Sequence, residues 1–201
     1  MKEKQSMVNM ASSAQRLAEA GLVIALAKVL DMIVLYQMPM GGSVTLASMA
    51  PLFIFAIRWG WKWGVAVGAV YGIINMMLGG YVIHPLQMVL DYPLAFAMCG
   101  LAGLPANQGK RNYPSYLPAM IFASFMRFLW HLLSGCIFFS TVNFEESGAS
   151  LIDALSLDNL SSGFLYSAGY NGSFLLPDLI LCLLIIGFLW KPLDKLLRPQ
   201  F

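Results

Sequence analysis

Six apolar runs, at roughly 14–37, 44–58, 61–79, 85–104, 116–140 and 162–190, take up most of this 201-residue chain. A helix crosses the hydrocarbon of a bilayer with about 20 apolar residues, so six such runs leave only short connections and no stretch as long as a soluble domain. Charged residues make up 11% of the chain and hydrophobic ones 59%, whereas a soluble domain is about 25% charged. Lipid must therefore cover surface that a soluble fold would cover with polar groups. None of the runs alternates with period two over the length of a barrel strand, which argues for helices and against strands. The expected fold is an all-α integral membrane protein of six transmembrane helices, forming a single membrane domain over 1–201. The second run is short for a span and is expected to be tilted or partly re-entrant.

The placement of charge predicts the topology. Lys2, Lys4 and Arg16 lie at the start of the first run, Arg58 and Lys62 between the second and third, and Lys110 and Arg111 between the fourth and fifth. Lys191, Lys195 and Arg198 follow the sixth. With six spans all of these fall on one side, while the other carries Glu145, Glu146, Asp153 and Asp158. The positive-inside rule then puts both termini in the cytoplasm. No small-residue cleavage pattern ends the first run, so it is expected to stay as a span. Cys99, Cys136 and Cys182 sit inside apolar runs without CxxC spacing and are expected to be packing residues.

Small residues at four-residue spacing let helices approach closely in lipid. Gly64, Gly68 and Gly72 form a double motif of this kind in the third run, expected to pack within the chain. Gly21 and Ala25 in the first run fit either internal packing or a surface that meets a partner.

Lys28, Asp31, Asp91, Arg127, His131 and Asp178 all fall inside apolar runs. Ionisable groups at such depth cost about 2.5–3.5 kcal/mol each on insertion scales and usually face the bundle interior or a cavity. Lys28 with Asp31, and Arg127 with Asp178, are the expected pairs, which leaves Asp91 and His131 over. At 1.5 Å per residue these two lie at about the same depth below the outer face, with Tyr166 and Asn171 in the first turns of the last span at a similar level. Phe138 and Phe139 close the fifth span just above. A carboxylate, an imidazole, a phenol, an amide and aromatic rings suit a small, flat, polar, cationic ligand. Pro93, two residues after Asp91, should loosen the helix there, as happens where a membrane helix lines a site. Asp91, His131 and Ser134 do not make a persuasive hydrolytic triad, since no GxSxG elbow is present and Ser134 follows His131 on one helix. With two histidines and no HExxH, neither a catalytic metal nor a cofactor is expected. Without a phosphate-binding loop the chain is not expected to hydrolyse ATP.

The runs MPMGGSVTLASMAPLFIFAIRWGWKWG, LQMVLDYPLAF, FLWHLLSG and LYSAGYNGS resemble the thiamine-specific S component of energy-coupling factor (ECF) transporters, in a resemblance that covers roughly 14–190. The resemblance implies a non-enzymatic subunit of the bacterial plasma membrane that captures thiamine at the extracellular face. It also implies partners, namely a transmembrane coupling subunit and two ATPase subunits, and no nucleic acid. Carried over motif by motif, it implies substrate-binding roles for Asp91, Tyr92, His131, Gly135, Phe139, Tyr166 and Asn171. It implies docking on the coupling subunit for Gly21 and Ala25. The chain departs from the pattern in having Asp91 for a glutamate, Phe139 for a tryptophan, and Gly41 and Gly42 where the first outer loop carries an aromatic. An S component for another vitamin or precursor and a stand-alone proton-coupled carrier are the alternative readings; the carrier would use Asp91 and His131 as a proton relay.

Overall fold

A computed structural model describes residues 2–108, 112–139 and 157–193. The polar stretch around 141–156, with Glu145, Glu146 and Asp153, lies outside the described residues, as do Lys110, Arg111, Lys195 and Arg198. Six helical segments form one bundle: α1 (Lys2–Asp31), α2 (Ala50–Trp59), α3 (Trp61–Met77), α4 (Pro85–Ala106), α5 (Tyr113–Phe138) and α6 (Leu157–Leu193). Three stretches, Pro85–Ala106, Tyr113–Phe138 and Gly163–Leu193, are long and apolar enough to cross a membrane alone.

The first two runs depart from the expected spans. α1 ends at Asp31, and the apolar residues that follow form a strand, β1 (Val34–Gln37), paired antiparallel with β2 (Ser43–Thr45). The hairpin tip, Pro39–Gly41, is a single 3-10 turn closed by Gly41 at φ +96°, a backbone angle that favours glycine. The second helix is therefore only ten residues long, about 15 Å at 1.5 Å per residue, roughly half the hydrocarbon thickness. The hairpin and the turn at 46–49 supply the rest of its path. α2 is buried on nearly all sides, and Gly60 at φ +83° turns the chain straight into α3.

α1 packs through Ala20, Val23, Ile24 and Ala27, one helical stripe, and turns Leu17, Leu22, Leu26 and Val29 outward. In a soluble helix the apolar stripe is the buried one; here both faces are apolar, as lipid contact requires. The glycine motif of α3 serves internal packing, as expected. A Cβ on Gly64 would crowd Ala56 and Gly100, one on Gly68 the Phe96 carbonyl, and one on Gly72 the Tyr92 carbonyl and Pro93. These contacts seat α3 against α2 and α4 at backbone distance. α4 is irregular in compensation, running as α-helix over Pro85–Val89, a π turn over Leu90–Leu94, and 3-10 helix over Met98–Gln108. Pro93 sits within the π turn, where its missing N–H leaves a carbonyl unmatched and the turn widens.

Candidate functional site

One cavity opens among the helices, and Asp91, Tyr92, His131, Gly135, Phe139, Tyr166 and Asn171 all line it. The equal depth inferred for Asp91 and His131 becomes a direct contact, with Nδ1 of His131 2.9 Å from Oδ1 of Asp91. The two residues that the expected pairings left over thus pair with each other. Gln87 donates to the other carboxylate oxygen, Oδ2, at 2.7 Å, and the Ser134 hydroxyl donates to the same atom at 2.8 Å. Asp91 is thereby held by three donors from two helices, with side chains of Asp91 and His131 only 15% and 11% exposed. Ser134 spends its proton on the carboxylate and not on the imidazole, the reverse of what a nucleophile needs.

The π turn delivers this geometry. It places Asp91 and Tyr92 on successive positions that both face the cavity, and the Tyr92 hydroxyl donates to the Tyr81 carbonyl at 3.2 Å. Gln87 is tied to the same segment, donating to the Tyr81 carbonyl at 3.1 Å and accepting from the Ile83 N–H at 3.2 Å. Gly135 allows α5 to meet α6, since a Cβ there would collide with Ser167. The amide nitrogen of Asn171 bonds the Ser167 carbonyl at 3.0 Å and the His131 carbonyl at 3.3 Å.

Aromatic rings wall the site. Tyr81 lies 6.3 Å from Phe139 between ring centres, Tyr166 stacks on Tyr170 at 6.1 Å, and Tyr170 meets Phe174 edge-on at 5.8 Å. Phe174 in turn lies 6.2 Å from the His131 ring. The Tyr170 hydroxyl accepts from the Gly42 N–H at 3.0 Å and donates to the Pro39 carbonyl, pinning the hairpin tip beside the cavity. A Cβ on Gly42 would sit 2.9 Å from both the Phe174 ring and that hydroxyl. Glycine stands at this hairpin position because rings from α6 already fill the space.

The cavity is also lined by Asp31, Asn75, Arg127 and Asp178. Lys28 bonds Asp31 at 2.8 Å, the expected pair, and reaches across to Asn75 of α3. Arg127 and Asp178 do not pair as expected. Asp178 accepts from the Thr45 N–H at 3.3 Å and from the Thr45 hydroxyl at 3.0 Å. Arg127, 8% exposed, lays its guanidinium 4.3 Å over the Phe96 ring and points Nη1 at the Met49 sulfur. An aromatic face attracts a desolvated guanidinium, and the backbone of β2 claims the carboxylate first.

Sequence reasoning missed Gln87, Tyr81, Tyr170 and Phe174. Gln87 precedes Asp91 by four residues, and Tyr170 and Phe174 follow Tyr166 by four and eight, the spacing that puts side chains on one helix face. Gly21 and Ala25 stand apart from the cavity on the outward face of α1, where a Cβ on Gly21 would meet nothing within 4 Å. Among the described residues no three His, Cys, Asp or Glu side chains gather as metal ligands would.

Residues 17–198 match the family described as "Thiamine transporter protein (Thia_YuaJ)". The chain belongs to this family. It is 29% identical over 205 residues to "Thiamine transporter ThiT" of Bacillus subtilis (strain 168), an alignment covering 96% of this chain and 99% of that one. It is 26% identical over 154 residues to "Thiamine transporter ThiT" of Lacticaseibacillus paracasei, covering 70% of each. A solved structure of ThiT from Listeria monocytogenes superposes with a TM-score of 0.74 at 25% identity, covering 92% of this chain and 98% of that one. Members of the family carry names of transporters rather than enzymes, and the six-helix architecture with its apolar spans is that of a multi-pass membrane protein.

Proposed function

We propose that this protein binds thiamine in the cavity lined by Asp91 and His131 and delivers it for import as the S component of an ECF transporter. Membership in the thiamine transporter family supports the ligand. The observation that carries the site is the largely shielded carboxylate of Asp91, held by three donors inside a wall of aromatic rings. Asp91 offsets the thiazolium charge and keeps one lone pair free for a ligand donor, since a carboxylate offers about four acceptor positions. Phe139 and Tyr166 flank the rings of the ligand, with cation–π attraction to the thiazolium. His131, Tyr92, Asn171 and the Gly135 backbone fix its polar edge. Both termini face the cytoplasm and the mouth of the cavity faces outward, on the charge asymmetry of the loops.

Release needs partners in this reading: a transmembrane coupling subunit that meets α1 at Gly21 and Ala25, and two ATPase subunits. Gly21 supports this role because the space a Cβ would occupy there is open. The test is a titration of the purified protein in detergent. Trp130 packs in the same apolar cluster as Phe139, so thiamine should change tryptophan fluorescence and saturate at about one ligand per chain, while riboflavin and biotin should not. No response in fluorescence and none in calorimetry rejects the assignment. Uptake by the chain expressed without partners would reject the subunit role in favour of a stand-alone carrier.

A further inference from the structure

The Asp91–His131 contact leaves the imidazole with one ring nitrogen engaged and the other, Nε2, buried without a hydrogen-bond partner among the described residues. A carboxylate only accepts, so the proton between them belongs to Nδ1, and in the neutral form of the ring Nε2 then carries a bare lone pair. A buried acceptor without a donor is costly, and a site that holds one is built to receive a donor. What keeps the carboxylate turned this way is not the imidazole itself. Gln87 and Ser134, 2% and 0% exposed, both donate to Oδ2 and so leave Oδ1 to face the ring. Gln87 is itself clamped by the Tyr81 carbonyl and the Ile83 N–H.

We propose that Gln87 and Ser134 are positioning residues of the binding site: they orient Asp91 so that it holds His131 as the Nδ1–H tautomer, with Nε2 presented to a donor group of the ligand. Neither residue needs to touch the ligand. The proposal deepens the thiamine reading and rests on it for the ligand, where the exocyclic amine of the pyrimidine is the donor chemistry that fits.

The chain contains two histidines, and the second is a built-in reference. Nδ1 of His84 accepts the Leu86 N–H at 3.1 Å as the cap of α4, so its proton lies on Nε2, the opposite tautomer. Nitrogen NMR of histidine-labelled, ligand-free protein should show one ring of each kind. In Ser134→Ala and in Gln87→Met the His131 signals should move toward an average of the two tautomers while those of His84 stay. Thiamine affinity should fall about tenfold in each variant, the size expected for one hydrogen bond to a charged group. His131 signals unchanged in both variants, or a wild-type His131 protonated at Nε2, would overturn the proposal even if affinity falls. Because the NMR arm uses no ligand, its outcome is separate from whether thiamine is the cargo.

Discussion

Replacing Asp91 with asparagine tests the electrostatic core of the site at nearly constant shape. An amide has one oxygen and one NH2 where the carboxylate has two acceptors. If the oxygen turns toward Gln87 and Ser134, the NH2 meets Nδ1 of His131, and the ring must give up its Nδ1–H tautomer to accept from it. If the amide flips, the NH2 meets the donors of Gln87 and Ser134 instead. Either arrangement loses a hydrogen bond or forces the ring into its other tautomer, and no bond to a charged acceptor remains, a loss of about 1.5–3 kcal/mol. The attraction for a cationic ligand goes with it. The side chain is only 15% exposed, so water screens little of this, and the total should fall in the range of about 2–5 kcal/mol for truncating a buried charge pair. At about 1.4 kcal/mol per decade this is roughly a thirtyfold to several-thousandfold rise in Kd for thiamine. Calorimetry in detergent measures it, and an analogue without the quaternary nitrogen should lose far less. The ligand-free Tm should hardly move, because a neutral amide is easier to keep at this depth than a charge. Thiamine binding by the variant within threefold of the parent would refute the role given to the carboxylate.

Gly72→Ala should cut thiamine affinity about tenfold or more and lower Tm, because a Cβ would press the Tyr92 carbonyl and Pro93 and displace the turn that carries Asp91; unchanged calorimetry would show that the turn yields freely. Gly21→Leu and Ala25→Leu should leave binding in detergent intact and abolish uptake in cells, and equal loss of binding would mean these residues pack the bundle. A cysteine introduced in 141–156 should react with an impermeant reagent outside intact cells, while one at 109–111 should not, and the opposite pattern would invert the topology. The native Cys99, Cys136 and Cys182 are buried and should contribute little background.

Hydropathy made the six segments legible, and 1.5 Å per residue was enough to bring Asp91 level with His131, because depth in a straight helix depends on residue count alone. The same count failed around residues 32–49. An apolar run reads alike as lipid-facing helix or exposed strand, and MIVLYQM became β1 through pairing with Ser43–Thr45, a tertiary fact. Lys28 and Asp31 were legible because they sit one turn apart on one helix. Arg127 and Asp178 were not, because opposite charge on two helices says nothing about which backbone donors compete, and Thr45 wins. Gln87 escaped notice for a related reason. An uncharged side chain costs little in lipid and raises no alarm, yet four residues before Asp91 it directs the carboxylate.

α1 is fastened to the bundle at two heights. At the first, mid-helix, Glu19 takes both Arg58 and the Trp59 indole, at 2.6 and 2.7 Å, with Arg16 lying 3.9 Å over the Trp63 ring. At the second, Lys28 holds Asn75. Between these anchors Ala20, Val23, Ile24 and Ala27 pack against the core, while Gly21, Leu22 and Ala25 are exposed on the outward stripe. The helix is two surfaces on one rod. Substitution along the outward stripe therefore changes the surface that α1 presents, while the stripe that seats it in the bundle and the residues that line the cavity stay as they are.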